Sequence, residues 1–184
     1  YAIALLVNLI YGCTVLRSYL INSDRLEKQS GLDALTGIGN RRAMVDDVAK
    51  LNLARSRLEY SLVVMDLDHF KQMNDRHGHI VGDKILKQFC TVCRKELPVG
   101  ARLYRYGGEE FVIIMKGCAA GVMRNTQTLL AQVQRHIFEQ NTRVSFSAGL
   151  AEYHNESLEG WISRADTALL QAKRDGRGRI YIDD

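Results

Sequence analysis

The pattern of apolar and polar positions divides the chain into two parts. Residues 1–16, YAIALLVNLIYGCTVL, carry no charge, and Arg17 ends the run. Residues 22–30, NSDRLEKQS, are polar and helix-permissive, and Gly31 breaks the pattern. This predicts an N-terminal helix and connector over 1–30 and a globular domain over 31–184. Within the domain, Met44, Val45, Val48, Leu51 and Leu53 or Ala54 share one face of a helix over 41–58. SLVVMDL at 61–67 is a β-branched apolar run and reads as a buried strand. A helix over 80–97 places Ile80, Val81, Ile85, Leu86, Phe89, Val92 and Cys93 on its apolar side. Strands over 102–106 and 111–115 flank Gly107-Gly108-Glu109-Glu110, which has hairpin chemistry. A helix over 126–138, a strand over 143–151, a helix over 158–173 and a short strand over 180–182 complete the order. Mixed helices and strands around one tight hairpin predict an α/β (α+β) fold. Its centre is a mostly antiparallel five-stranded sheet flanked by helices and preceded by a long N-terminal helix.

The uncharged run is a little short for a membrane span, which takes roughly 20 apolar residues. A first residue of Tyr1 rather than Met reads as a fragment or processed product, so the run is expected to be the end of a longer span. Arg17, Arg25 and Lys28 then lie on the cytoplasmic side. That predicts attachment to the inner membrane with the domain in the cytoplasm. An amphipathic or coiled-coil helix pairing two copies is the alternative. With 25 Lys plus Arg against 21 Asp plus Glu, the formal charge of +4 is a poor footprint for nucleic acid. Cys90 and Cys93 form a single C-x-x-C inside an apolar helical pattern, so they read as buried free thiols rather than a zinc or redox site.

Four groups carry candidate chemistry. Asp66 and Asp68 end the buried strand, where α/β folds place ligand groups. A carboxylate leaving a dry core is costly unless paired, and a hard cation compensates it. A capping role in the next turn is the competing reading. Gly107 and Gly108 allow close approach of a ligand to the backbone. Glu109 and Glu110 then bring like charges together against an apolar strand, which demands a cation or a raised pKa. Lys71 suits phosphate, while Asn74 and Asp83 match the donors and acceptor of a guanine edge. Each of these three also reads as an ordinary turn or cap residue. His77 and His79 lack the closed spacing of a zinc site. Finally, KRDGRGR at 173–179 is either a solvated helix end or a basic rim for phosphate.

Together these motifs resemble the GGDEF family of diguanylate cyclases. The resemblance rests on GGEEF at 107–111, DALTGIGNRR at 33–42, the segment 65–83, SFSAGLA at 145–151 and RAD at 164–166 through Arg179. It spans about residue 31 to the end and implies a palm-like fold shared with polymerases and class III nucleotide cyclases. It also implies condensation of two GTP into cyclic di-GMP with release of two pyrophosphates, across a homodimer. Asp66, Glu109, Glu110 and the carbonyl of Leu67 would hold Mg²⁺, two per site, with Mn²⁺ an alternative. Glu109 would act near the ribose 3′-hydroxyl, as base or metal-bound activator. Lys71 would stabilise phosphate charge, Asn74 and Asp83 would read guanine, and His79 would contact substrate. Gly107 and Gly108 would face the substrate, and Lys173 and Arg177 would reach the β- and γ-phosphates.

The chain departs from the family at several positions. Pro98-Val99-Gly100-Ala101 stands where many members carry an R-x-x-D product-inhibition site. Leu170 stands where Tyr is common and Gly178 where Asn is common. A catalytically silent GTP-binding regulator is the rival within the family. A nucleic-acid module built on the 174–179 tail is the rival outside it.

Overall fold

The structure is a computed structural model that describes Arg17, residues 31–51 and residues 59–183. Its elements are β1 (Gly39–Asn40), α1 (Arg41–Leu51), β2 (Tyr60–Leu67), α2 (Phe70–His77), α3 (His79–Glu96), β3 (Arg102–Gly107), β4 (Glu110–Lys116), α4 (Ala119–Arg135), β5 (Phe146–Glu152), α5 (Leu158–Arg174) and β6 (Ile180–Ile182). The sheet has six strands, one more than expected, in the order β1-β3-β4-β2-β5-β6. The extra strand is β1, a two-residue piece lying parallel to β3. The three central pairings are antiparallel, and β6 joins β5 in parallel.

β2 shows why this sequence builds two layers. Successive strand residues point to opposite faces. Val63, Met65 and Leu67 join Phe111, Ile113, Phe146 and the buried residues of α3 and α4 in one core. Leu62 and Val64 join Val112, Ile114, Met44 of α1 and Trp161, Ala165 and Leu169 of α5 in the other. Both faces of β2 are covered, so the run is continuously apolar rather than alternating. On the second face, Gly149 lets α5 sit almost on the sheet. A Cβ there would lie 1.9 Å from the Ala165 carbonyl oxygen.

Several boundaries differ from expectation for identifiable reasons. The expected helix over 80–97 is preceded by a separate helix, α2, and Gly78 (φ 84°) is the break between them. α4 begins at Ala119, well before residue 126, because the Glu152 carboxylate accepts the Ala119 amide at 2.7 Å and caps it from another strand. It stops at Arg135, where His136 turns extended. The helix expected over 41–58 is described only to Leu51, and its remainder lies outside the described residues.

The membrane expectation is corrected. Among the described residues, no helix is long and apolar enough to cross a membrane, and this overturns the inner-membrane assignment. The N-terminal helix over 1–30 on which that assignment rested lies, apart from Arg17, outside the described residues.

Candidate active site

The site begins where β2 and β4 end side by side. Asp66 and Glu110 are direct partners in the antiparallel register. They share the sheet face occupied by α5, and two carboxylates therefore meet there. The Lys173 ammonium, near the C-terminus of α5, lies 2.8 Å from the Asp66 carboxylate. Burial raises the pKa of Glu110, and the neighbouring Asp66 raises it further. Lys173 works the other way, while Asp166 and Glu109 add smaller upward contributions. One ammonium thus faces several carboxylates, an arrangement that favours an additional cation.

Glu109 enters through the turn. The β3–β4 register shifts between Arg105 and Gly107, the bulge that brings both glutamates to one end of the sheet. Gly108 has φ 50°, which suits glycine at the tip. Its carbonyl accepts Arg105 Nε at 2.9 Å and Nη2 at 2.7 Å. Arg105 Nη1 donates to both oxygens of Asp33 at 3.1 Å. Burial opposes ionisation of Asp33, but bonds from the Thr36 hydroxyl and amide, with Arg105, outweigh it and hold its pKa below the usual range. The Leu67 amide also donates to the Glu109 carbonyl at 3.2 Å, so the turn is tied to β2 as well.

The remaining expected residues lie on α2, α3 and the loop after α5. Asn74 of α2 packs against Gly82 of α3, and its side-chain oxygen is buried without a hydrogen-bond partner. Asp83 follows Gly82 and is exposed, as are Lys71 and His79. Asp68 is buried and structural: it accepts Ser147 Oγ at 2.7 Å and the Gly178 amide at 3.0 Å. It therefore ties the basic loop after α5 to the end of β2. Arg177, exposed in that loop, adopts φ 63° and donates its amide to the Ala172 carbonyl at 3.0 Å.

The sequence model of the family described as "Diguanylate cyclase, GGDEF domain" matches residues 30–179. This chain belongs to that family. It is 37% identical over 160 residues to diguanylate cyclase DgcS of Shewanella oneidensis, an alignment covering 83% of this chain and 52% of that protein. The fold is similar to the GGDEF domain of DgcB from Caulobacter crescentus, solved with c-di-GMP, with a TM-score of 0.76 and 30% identity over 83% of this chain and 95% of that one. It is also similar to the active GGEEF domain of a Vibrio cholerae diguanylate cyclase, with a TM-score of 0.74 and 30% identity over 79% and 97% of the two chains. The chain spans between 24% and 55% of the length of the curated relatives it matches.

Within this GGDEF domain, the structure brings Asp66, Glu109, Glu110 and Lys173 to one end of the sheet. It separates Asp68 from them by spending its carboxylate on the fold. Lys173, expected on phosphate, is bonded to Asp66. His77 pairs its Nδ1 with Gln140 at 3.0 Å. Among the described residues, no three His, Cys, Asp or Glu side chains converge as a preformed metal cluster. The donors present are strand-end carboxylates and a backbone carbonyl. These are hard oxygen ligands of the kind Mg²⁺ combines with water and phosphate oxygens. Arg105 and Asp33 were not recognised as site residues from sequence. Their one local signal was Asp33 three residues before Thr36, the spacing of a side-chain-capped turn.

Proposed function

We propose that this GGDEF domain is a diguanylate cyclase, condensing two GTP into cyclic di-GMP and two pyrophosphates. The observation that carries the reading is the register pair Asp66–Glu110 beside a bulged glycine turn that delivers Glu109, with Lys173 at the same point. Such a site collects negative oxygens and tolerates them only with added positive charge, which is what a nucleoside triphosphate with its cation brings.

In each condensation a 3′-oxygen attacks an α-phosphorus. The new P–O bond forms as the bond to pyrophosphate breaks, and the hydroxyl proton leaves. Glu109 accepts that proton as a base, or orients the hydroxyl while water takes the proton. Lys71 and Arg177, both exposed, offset charge on the phosphates. Asn74 and Asp83 hold the guanine edge. Asp66, Glu109, Glu110 and the Leu67 carbonyl would hold Mg²⁺, which lowers the pKa of the hydroxyl and neutralises phosphate charge when bound. One domain presents one such set of residues, so two GTP molecules in opposite orientation require two copies of the chain.

The test is incubation of the purified chain with GTP and Mg²⁺, with products read by mass spectrometry. Cyclic di-GMP with pyrophosphate is expected. GTP bound but unconverted at high protein concentration would refute the reading in favour of a silent GTP-binding regulator. Glu109→Ala is expected to abolish synthesis with an unchanged circular dichroism spectrum; parental turnover in that variant would remove Glu109 from the mechanism.

A further inference from the structure

Gly82 lies in the first turns of α3, buried, and its φ is not in the left-handed region. Its backbone therefore makes no demand for glycine. In a helix interior alanine is favoured over glycine, so the reason for glycine must lie in the space around it. A Cβ at Gly82 would lie 1.9 Å from Asn74 Oδ1, 3.0 Å from Asn74 Cγ and 3.2 Å from Phe70 Cζ. The volume a methyl group would fill is the volume the Asn74 amide occupies. That same amide oxygen is the buried acceptor with no donor. A dry carbonyl oxygen costs free energy, and at this burial no ligand group reaches it, so what the seat fixes is the rest of the amide.

We infer that Gly82 is a positioning residue for purine binding: its missing side chain makes the seat of the buried Asn74 amide oxygen, and that seat fixes the rest of the amide where it meets the base. The inference rests on the reading that Asn74 addresses the base. A methyl group at residue 82 must displace the Asn74 oxygen by about 1 Å or more, since carbon–oxygen contacts under 3.0 Å essentially do not occur. Misplacement on that scale is enough to lose a positioned hydrogen bond. The displaced atoms are the end of a flexible side chain, so the fold absorbs the change. Phe70 needs to yield only a few tenths of an ångström. Binding and stability are therefore expected to separate.

The experiment compares Gly82→Ala, Asn74→Ala and the double variant with the parent chain. It measures thermal melting, and GTP and ITP affinity by calorimetry with Ca²⁺ present to prevent turnover. ITP lacks the 2-amino group that the guanine donor set contains. Gly82→Ala is expected to melt no lower than the parent and to bind GTP about tenfold more weakly. In the Asn74→Ala background the same change is expected to add almost nothing, because the group it displaces is gone. Equal losses in both backgrounds would overturn the inference, as would parental GTP affinity in Gly82→Ala when Asn74→Ala binds weakly. If Asn74→Ala itself keeps parental affinity and selectivity, the base-reading role of Asn74 fails and this inference fails with it. A melting loss shared by Gly82→Ala and the double variant would show that Gly82 packs against something other than the Asn74 amide.

Discussion

Gly149→Ala tests whether the closeness of α5 to the sheet holds both the fold and the site. The added Cβ would meet backbone atoms: the Ala165 oxygen at 1.9 Å, the Leu169 nitrogen at 2.3 Å and the Ala168 carbonyl carbon at 2.9 Å. None of these is a side-chain end that can rotate away. Restoring ordinary contact requires α5 to withdraw from β5 by about 1 Å or more, against a core that is otherwise close-packed. Trp161, Ala165 and Leu169 would lose contact with Leu62, Val64 and Ala151 along that face. Overpacking typically costs about 1–3 kcal/mol. The rigid backbone partners here place the expected loss at the top of that range, about 3 kcal/mol. For a domain of this size that corresponds to a fall in Tm of about 10 °C. Urea and thermal unfolding followed by circular dichroism measure it. Because α5 carries Lys173 onto Asp66, cyclase activity below the new Tm is also expected to fall. A Tm within about 2 °C of the parent would refute the argument, since it would mean that α5 shifts without cost.

Arg105→Ala removes both donors to the Gly108 carbonyl and leaves Asp33, 13% exposed, without its cation. A stability loss of about 2–3 kcal/mol with a large fall in kcat is expected, and unchanged turnover in a folded variant would release the turn from this clamp. Asp33 has a folded pKa below its unfolded value, so its contribution is present above the unfolded pKa, near 4, and is lost as pH falls through the folded pKa. The gap in urea midpoint between the parent and Asp33→Asn is therefore expected to narrow from pH 7 to pH 3, and a constant gap would contradict the assignment. Glu110 has the opposite sign. Its pKa is raised by burial and by Asp66, so ionisation in the folded state is disfavoured and Glu110→Gln is expected to raise Tm in metal-free buffer but not in Mg²⁺, with an equal rise in both conditions counting against a cation-binding role.

The strands were legible because their burial is two-sided. Runs such as LVVM and FVIIM have no other stable home than a covered sheet. The second helix was not legible in sequence, because FKQMNDRH is mostly polar and only Gly78 marks its end. β1 was invisible, since two residues carry no period and its partner β3 decides its existence. Of the site, the glutamate pair and Asp66 stood out by charge placed against apolar strands. Asp68 could not be told from Asp66 by spacing alone. Their difference lies in Ser147 and Gly178, which are 79 and 110 residues away in sequence. Arg105 was hidden for the same reason, since its partner Asp33 lies 72 residues earlier.

These long-range bonds explain how so charged a site is held on so small a domain. The glycine turn would be free to flap on its own, but Arg105 fastens its tip to the segment before β1, and Leu67 fastens its far side to β2. The basic loop would fray as a helix end does, but Asp68 holds Gly178 against the strand that carries Asp66. Gly178 has φ 58°, and a Cβ there would come within 3.2 Å of Ser145 Oγ, so this tether suits a glycine where the wider family often has Asn. α5 is held by close backbone approach at Gly149 together with the buried side chains of Trp161, Ala165 and Leu169, which gives Lys173 a position as definite as that of the sheet. Each anchor is buried or half-buried and uses a group that has no part in the chemistry. Lys71, Asp83 and Arg177, which the proposed function assigns to substrate, are exposed and free of ion pairs within the described residues. The domain thus separates the residues that hold the site from the residues that use it. The exception is Lys173, which is paired with Asp66 and, were it to reach a phosphate as the family resemblance implies, would have to exchange that partner.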